Sequence, residues 1–519
     1  MTPRAPVREL AELTPPSNVT HPPVRPPGPV DAAGGAELVY HDLPFALQVE
    51  ITSRCNLRCQ MCPLTSGSTA SRVTPGHISE ATWAEVLRLA RASRQIFVAG
   101  FGEPTTNPRC LELLRDLDSE SIHMTLVTNG LAVTRSMAHQ LAALEYLDHI
   151  NVSIDSPDPD VYFQIRGTQL DRAWRGLSNL MVAMTAAGRR HRVSVSSVAM
   201  QSNVASLARF PAVLADVGVV HYIVQGLVEY NDFARGQRLT SSAELADEFE
   251  QLRAACQVHG IQLQLTTPER SLSESAGDGR AGPEFFRSPG PGEEDTRQCM
   301  LPWELPYIDK DAKVFSCCYA ASSHAEPLGQ VGPATLEEIW VGRAYQAFRR
   351  DLLDGRTAPA PCRSCTAVKL GPHPLREYRA EVVSTRVTRT SAGAQVTVQV
   401  RNTGARTWAR GEGILVGTAR PRDMPSPLAH QSWPAANRAG SFGQDSVPVG
   451  ARATFEFLTQ QPPDGADQMF QVVVEGLCWL PNTQFTVHVP PRQRWWRSGH
   501  RQPPVLVRTA SPVARGPLG

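Results

Sequence analysis

The stretch that decides the fold is "FALQVEITSRCNLRCQMCPL", Phe45 to Leu64. An apolar run with the character of a β-strand leads directly into three cysteines, Cys55, Cys59 and Cys62, within eight positions. Spaced this closely in a loop after a strand, they put three thiols on one concave turn. A structural zinc site takes four protein ligands, and the next cysteine, Cys110, lies beyond a further expected strand. An iron–sulfur cluster with one iron left open fits a set of three better. An open iron is useful when something other than protein sulfur coordinates it.

Working outward, short β-branched runs alternate with segments of helical spacing from Phe45 to about Gln264. The strands are "FALQVEI", "RQIFVAGFGEP", "HMTLVTNG", "LDHINVSID", "HRVSVSSVAM" and "VVHYIVQGLVEY". Between them lie "SEATWAEVLRLARAS", opened by a cap at Ser79, "TRSMAHQLAALEYL" and "DRAWRGLSNLMVAMTAAG". Strand–helix alternation implies a parallel sheet with right-handed crossovers. Six strands are too few for a closed eight-stranded barrel, so the expected fold class is α/β, a partial (β/α)6 TIM-like barrel over 44–265.

The chain of 519 residues is too long for one core. Its first 43 residues are proline-rich and read as a disordered tail, and 266–296 as a polar Gly/Pro-rich linker. A cysteine-bearing segment spans 297–372. From 378 to 490, alternating strands such as "VTVQVRNTGARTW" and "MFQVVVEGLCWLPNTQFTVHV" predict an all-β sandwich that resembles Ig-like domains, with Trp408 and Trp479 as core anchors or ligand-stacking platforms, followed by a tail over 491–519. A net charge of +1 gives no argument for a nucleic-acid partner, and no apolar run is long enough to cross a membrane. Without a signal-peptide pattern the expected location is the cytoplasm, where eleven cysteines read as metal ligands and core residues. Cys110, Cys256 and Cys478 are expected to be buried.

Taken together, "CNLRCQMC", "GFGEP", "TNG" and "NVSIDS" resemble the radical S-adenosylmethionine (SAM) superfamily over roughly 45–370. The resemblance implies a [4Fe–4S] cluster on Cys55, Cys59 and Cys62, with the amino and carboxylate groups of SAM on the fourth iron. In "AGFGEP", Gly100 and Gly102 would let backbone approach a ligand closely, and Glu103, followed by Pro104, would accept a hydrogen bond from the SAM ammonium group. Phe101 departs from the usual pair of adjacent glycines. Thr128 and Asn129 of "TNG" look like a ribose contact. Ser153 of "NVSID" and Arg166 resemble the residues that hold the SAM carboxylate, and Asp155 beside them is a further expected cofactor-binding residue. A solvated helix position is the other reading of Arg166. Met61 stands where relatives carry an aromatic near adenine.

A second cysteine set follows the linker: Cys299, the adjacent pair Cys317 and Cys318, and Cys362 with Cys365. Spacing alone leaves zinc and an iron–sulfur cluster equally open. The segment resembles the SPASM/twitch extension in its shorter form, which implies one auxiliary [4Fe–4S] cluster on Cys299, Cys317, Cys362 and Cys365, similar to aminocyclitol dehydrogenases. Cys318 is then a spare thiol near the chemistry. By this likeness, the expected activity is epimerisation or dehydrogenation at a hydroxyl-bearing carbon of a sugar, oligosaccharide or aminocyclitol. A flavodoxin- or ferredoxin-type reductant is the implied electron source. Gln225, Glu229 and Tyr230, at the carboxyl end of the sixth strand, are the expected substrate contacts. A peptide-maturing enzyme and a zinc-stabilised binding protein are the two alternatives.

Overall fold

The computed structural model describes residues 44–65, 73–239, 243–266, 299–323, 325–354, 360–363, 365, 373–390 and 392–491. Both expected tails, and all but the first residue of the expected linker, lie outside these residues apart from Pro491.

All six expected strands form, side by side in chain order and parallel: β1 (Leu47–Val49), β2 (Gln95–Val98), β3 (His123–Thr128), β4 (Leu147–Ser153), β5 (Val193–Ala199) and β6 (His221–Gly226). A seventh, β7 (Gln262–Thr266), runs parallel to β6 and was not among the six counted. Past β1 the sheet continues into the second cysteine segment. There β8 (Tyr307–Ile308) pairs parallel with β1, and β9 (Lys313–Phe315) and β10 (Gly329–Gln330) fold back antiparallel beyond it. The auxiliary segment is therefore an extension of the barrel sheet.

Helices cover the crossovers. α1 (Glu80–Ser93) starts where Ser79 Oγ accepts the Thr82 N–H at 3.1 Å, the expected cap, an interaction of about 1 kcal/mol. It buries Trp83, Val86 and Leu89, each contributing about 1.5–3 kcal/mol of apolar burial. It ends at Arg94 in the left-handed region (φ 63°). α2 (Cys110–Ser119), α3 (Arg135–Ala143, capped by Thr134), α4 (Pro159–Arg166) and α5 (Leu170–Ala186) follow. Cys110, Cys256 and Cys478 are buried, as expected.

The C-terminal region is all-β. Ala380–Thr390, Gly393–Asn402 and Arg452–Gln460 form one antiparallel sheet. A second antiparallel sheet contains Arg438–Ser441, Ile414–Arg420, Ala466–Val474, Cys478–Trp479 and Phe485–Val489. Its core is aromatic: Trp433, Phe457, Phe470 and Phe485 form a chain of ring contacts at 5.4–5.9 Å. Trp408 is fully buried and Trp479 nearly so, both as core residues.

This region meets the barrel where β1 and β8 begin. Arg422 donates to Glu304 Oε1 at 2.9 Å, and its guanidinium lies 4.0 Å from the Phe45 ring centre and 4.8 Å from that of Trp479. The Glu304 carbonyl accepts the N–H groups of Phe45 and Ala46 at 3.1 and 3.4 Å. The contact thus lies at the amino ends of the strands, opposite the cysteine loop that follows β1.

Candidate functional site

The three-cysteine loop leaves the carboxyl end of β1 and is held by its own turns. Cys62 N–H bonds the Cys59 carbonyl at 3.1 Å, and Leu57 N–H points at Cys55 Sγ at 3.4 Å. Burial pushes the Cys55 and Cys62 thiols up to about 11, with smaller contributions from neighbouring thiols. Arg166 Nη1 approaches Cys59 Sγ at 3.7 Å. Donors aimed at sulfur suit thiolates that carry charge.

The strand-end motifs close round this loop. A Cβ on Gly102 would lie 2.1 Å from the Thr52 carbonyl oxygen, and one on Gly100 would lie 2.6 Å from Glu50 Cβ. The close approach expected of these glycines is thus made to the chain's own β1 and cysteine loop. Glu103, followed by Pro104 at the start of a short 3-10 turn, is buried. Its Oε1 accepts from Thr105 N–H (3.1 Å), Thr105 Oγ1 (2.5 Å) and Thr128 Oγ1 (2.6 Å), and its Oε2 from Asn129 N–H (2.7 Å). Three protein donors already use Oε1, so Oε2 has the spare capacity for the expected ammonium contact. Asn129 also donates to Asn56 Oδ1 at 2.8 Å, tying "TNG" to the cysteine loop. Gly130 sits at φ 77°, and α5 packs so tightly there that a Cβ on Gly176 would lie 1.9 Å from the Gly130 oxygen.

Arg166 is buried, which removes the solvated reading. Its Nε donates to Asp155 Oδ2 at 2.5 Å, while Asp155 Oδ1 accepts the Val198 N–H at 2.9 Å. Burial opposes the guanidinium charge, but Asp155 and Cys59 more than offset it and keep the group protonated. Ser153, half-buried, ends β4 opposite Ser196. Met61 packs on a cluster of Ile165, Met200, Leu227 and Ala234.

In the second set, Cys317 caps the short helix Cys318–Ser322, its sulfur accepting the Ala320 N–H at 3.4 Å. Burial raises the Cys317 thiol strongly, and the charges of Cys318, Cys299 and Cys362 add to it. Cys299 in turn senses Cys362 and Cys365. Cys318 is raised mainly by burial, senses Cys365 and is hydrogen-bonded with Tyr230. His373 holds the Cys299 end: its Nδ1 accepts the Leu375 N–H at 3.2 Å, so its Nε2–H donates to the Cys299 carbonyl at 2.9 Å. Among the described residues no three or more of His, Cys, Asp and Glu are gathered as for a single ion. A cubane spreads its ligands wider, because each thiolate binds a different iron.

The two sets face each other across an aromatic wall. Tyr230 is pushed up by burial and then by Cys318, Cys317, Cys365 and, from the first set, Cys62. Its ring lies 6.4 Å from Phe101 and 5.5 Å from Tyr319. Phe101, the residue that splits the two glycines, also meets Tyr307 at 5.9 Å and packs beside Cys317 and Cys318. Of the other expected substrate contacts, Gln225 is exposed, whereas both Glu229 oxygens are held by Arg238, at 2.5 and 2.8 Å. Glu50, Phe101, Tyr307, Tyr319 and His373 were not foreseen. One signal was available for Glu50: a carboxylate closing an apolar strand just before a ligand set.

Residues 49–186 match the model of the Radical SAM superfamily, and 299–366 match that of an iron–sulfur cluster-binding domain. With these two domains the chain is a radical SAM enzyme whose cofactors are SAM and two [4Fe–4S] clusters, one binding SAM and one auxiliary. The thiol sets described above fit both. The chain is 27% identical over 332 residues to the mycofactocin maturase MftC of Mycobacterium tuberculosis, covering 62% of this chain and 76% of that protein. To the PqqA peptide cyclase of Ruegeria pomeroyi it is 26% identical over 333 residues, covering 63% and 81%. The crystal structure of Streptococcus suis SuiB bound to precursor peptide SuiA aligns with a TM-score of 0.48 at 16% identity, over 63% of this chain and 70% of that one. The expected sugar, oligosaccharide or aminocyclitol substrate is overturned: relatives that match 62–63% of this chain are named as a maturase and a peptide cyclase. Among the described residues no helix is long and apolar enough to cross a membrane.

Proposed function

We propose that this chain is a peptide maturase that oxidatively modifies a residue of a precursor peptide. The observation that carries the reading is the likeness to MftC and PqqA cyclase across more than 330 residues, 62–63% of this chain. Bound together, cluster and SAM supply a 5′-deoxyadenosyl radical that abstracts a substrate hydrogen. In this reading Cys55, Cys59 and Cys62 hold the first cluster. Glu103, Thr128, Asn129, Ser153, Asp155, Arg166 and Met61 line the SAM pocket, while Gly100, Gly102 and Pro104 shape its wall. Cys299, Cys317, Cys362 and Cys365 hold the auxiliary cluster. Cys318, Tyr230 and Phe101 face the substrate between the two, where Tyr230 excludes water and orients the peptide. A flavodoxin- or ferredoxin-type protein delivers the electron.

The test is anaerobic reconstitution followed by incubation with synthetic precursor peptides and a strong reductant. Peptide-dependent 5′-deoxyadenosine with a peptide product lighter by two hydrogens is the expected result. Cleavage of SAM that no peptide accelerates would remove the reading. Wild type should carry about eight irons, four per cluster. Cys317→Ala should fall to about four, and Cys318→Ala should stay near eight; the reverse pattern would exchange the roles of the two cysteines.

A further inference from the structure

One buried carboxyl in the barrel belongs to neither thiol set. Glu50 follows β1, five residues before Cys55, and is 4% exposed. Its Oε2 accepts two hydrogen bonds, from Tyr307 O–H at 2.7 Å and from Phe101 N–H at 2.8 Å. Among the described residues Oε1 accepts none. Both donors are neutral, and the ammonium group that could have paired with Glu50, that of Lys310, is bonded to Asp311 at 2.7 Å. Buried carboxylates are normally fully bonded or paired with a cation. Glu50 is neither.

The surroundings explain how it titrates. Burial raises the Glu50 carboxyl to about 7. The bonds from Tyr307 and Phe101 pull it down, Asp309 pushes it up, and Lys310 pulls it down slightly. Cys318 faces Tyr307 from the short helix. Because Oε2 already receives two donors, the proton of the neutral acid sits on Oε1. The same Phe101 that donates its N–H to Glu50 meets the Tyr230 ring edge-on and, like Cys317 and Cys318, packs on the cluster of Tyr307, Phe315 and Ala320. Glu50 therefore adjoins the space between the two thiol sets.

We propose that Glu50 is the proton acceptor of the substrate cavity, taking at Oε1 the proton that the peptide gives up during its oxidation. The inference rests on the peptide-oxidising reading above. A substrate C–H bond breaks and its hydrogen atom passes to the 5′-deoxyadenosyl carbon. The remaining radical must lose one electron, taken by an iron–sulfur cluster as oxidant, and one proton as the new bond forms. That proton, from a neighbouring N–H, S–H or C–H, forms the O–H bond at Oε1. Two hydrogens leave the peptide in all, and the ionised carboxylate becomes the neutral acid. Tyr307 is a positioning residue, since its bond fixes which oxygen remains open.

Glu50→Gln keeps the shape and both donor contacts but cannot take a proton. In cluster-loaded, ligand-free protein carrying carbon-13 glutamate, infrared difference spectra between wild type and E50Q should show one neutral carboxyl that ionises around pH 7. A difference spectrum showing only carboxylate down to pH 5 overturns the proposal. With a synthetic precursor peptide that wild type matures, E50Q should form product about 100-fold more slowly, while peptide-dependent 5′-deoxyadenosine formation stays within about twofold. Equal product rates across pH overturn the proposal. Should E50Q not fold, Tyr307→Phe serves instead: removing a bond that lowers the Glu50 pKa must move the rising limb of the wild-type pH profile to higher pH, and an unmoved limb overturns the proposal. If wild type matures none of the peptides, the maturase reading itself falls, and the infrared result alone decides the state of Glu50.

Discussion

Two glutamates, Glu50 buried and Glu304 half-buried, sit at opposite ends of the paired strands β1 and β8, and their partners differ in kind. Glu304, before β8, is bonded to a guanidinium that is itself 5% exposed. Glu50, after β1, has a phenol and a backbone N–H. Burial raises both carboxyls, but Arg422 pulls Glu304 back down, whereas neutral donors and a weak pull from Lys310 oppose the rise at Glu50. A cation partner turns a buried carboxylate into a fixed joint, here between the barrel and the β-sheet region. Neutral partners leave a group that can change charge near neutrality. The chemistry stands at the end where the charge can change.

Breaking the joint should have the largest effect. Arg422→Ala leaves the half-buried Glu304 without its cation and removes the packing on Phe45 and Trp479, and should cost about 3 kcal/mol, the low end for a broken buried pair, read as a lower denaturant midpoint. A change under about 1 kcal/mol would mean that the pair is not a joint. Next comes the pH dependence of Glu50. Its carboxyl, ordinarily near 4.5, titrates at about 7 in the folded chain, so the native state holds the proton more tightly than the unfolded one. The resulting stability is complete below about pH 4.5 and is lost as pH rises through 7, on the order of 3 kcal/mol in all. Midpoints of wild type and E50Q, compared from pH 4.5 to 8, isolate this term because Glu304 is common to both. A pH-independent difference would refute the assignment. The smallest effect belongs to Tyr307→Phe. Loss of one neutral hydrogen bond, about 1 kcal/mol, should raise the Glu50 midpoint by about half to one pH unit in the infrared titration.

A sharper comparison concerns His373, whose bond to the Cys299 carbonyl spans 74 residues. His373→Ala should lower auxiliary-cluster iron and alter its electron paramagnetic resonance signal, leaving the SAM-binding cluster intact. Equal loss from both clusters would show a general folding defect instead.

Much of the barrel was legible because periodicity and motif coincide there. Three thiols after an apolar run, a serine cap at Ser79 and strands ending in "GFGEP" and "TNG" all carry local physical signals. β7 was missed because "QLQLT" is short and half polar, although Gly260, at φ 65°, breaks the chain between the preceding helix and the strand. Glu50, Tyr307 and Arg422 were beyond local reading. Their partners lie 51 to 257 residues away, and nothing in a window of neighbours marks them. The substrate was misread for a different reason. Steps of eighteen, forty-five and three between cysteines constrain how a cluster is ligated, not what lies in the cavity beside it.

The parallel pairing of β8 with β1 has a mechanical consequence. Gln48 and Val49, which lead into the first thiol loop, share backbone register with Tyr307 and Ile308, which lead towards the second. The loops that carry Cys55 and Cys317 are thus anchored to one continuous sheet, unlike modules joined by a hinge. Ending the chain before Cys299 would bare the β1 edge and invite aggregation, so the auxiliary half cannot be dissected away to leave a working core.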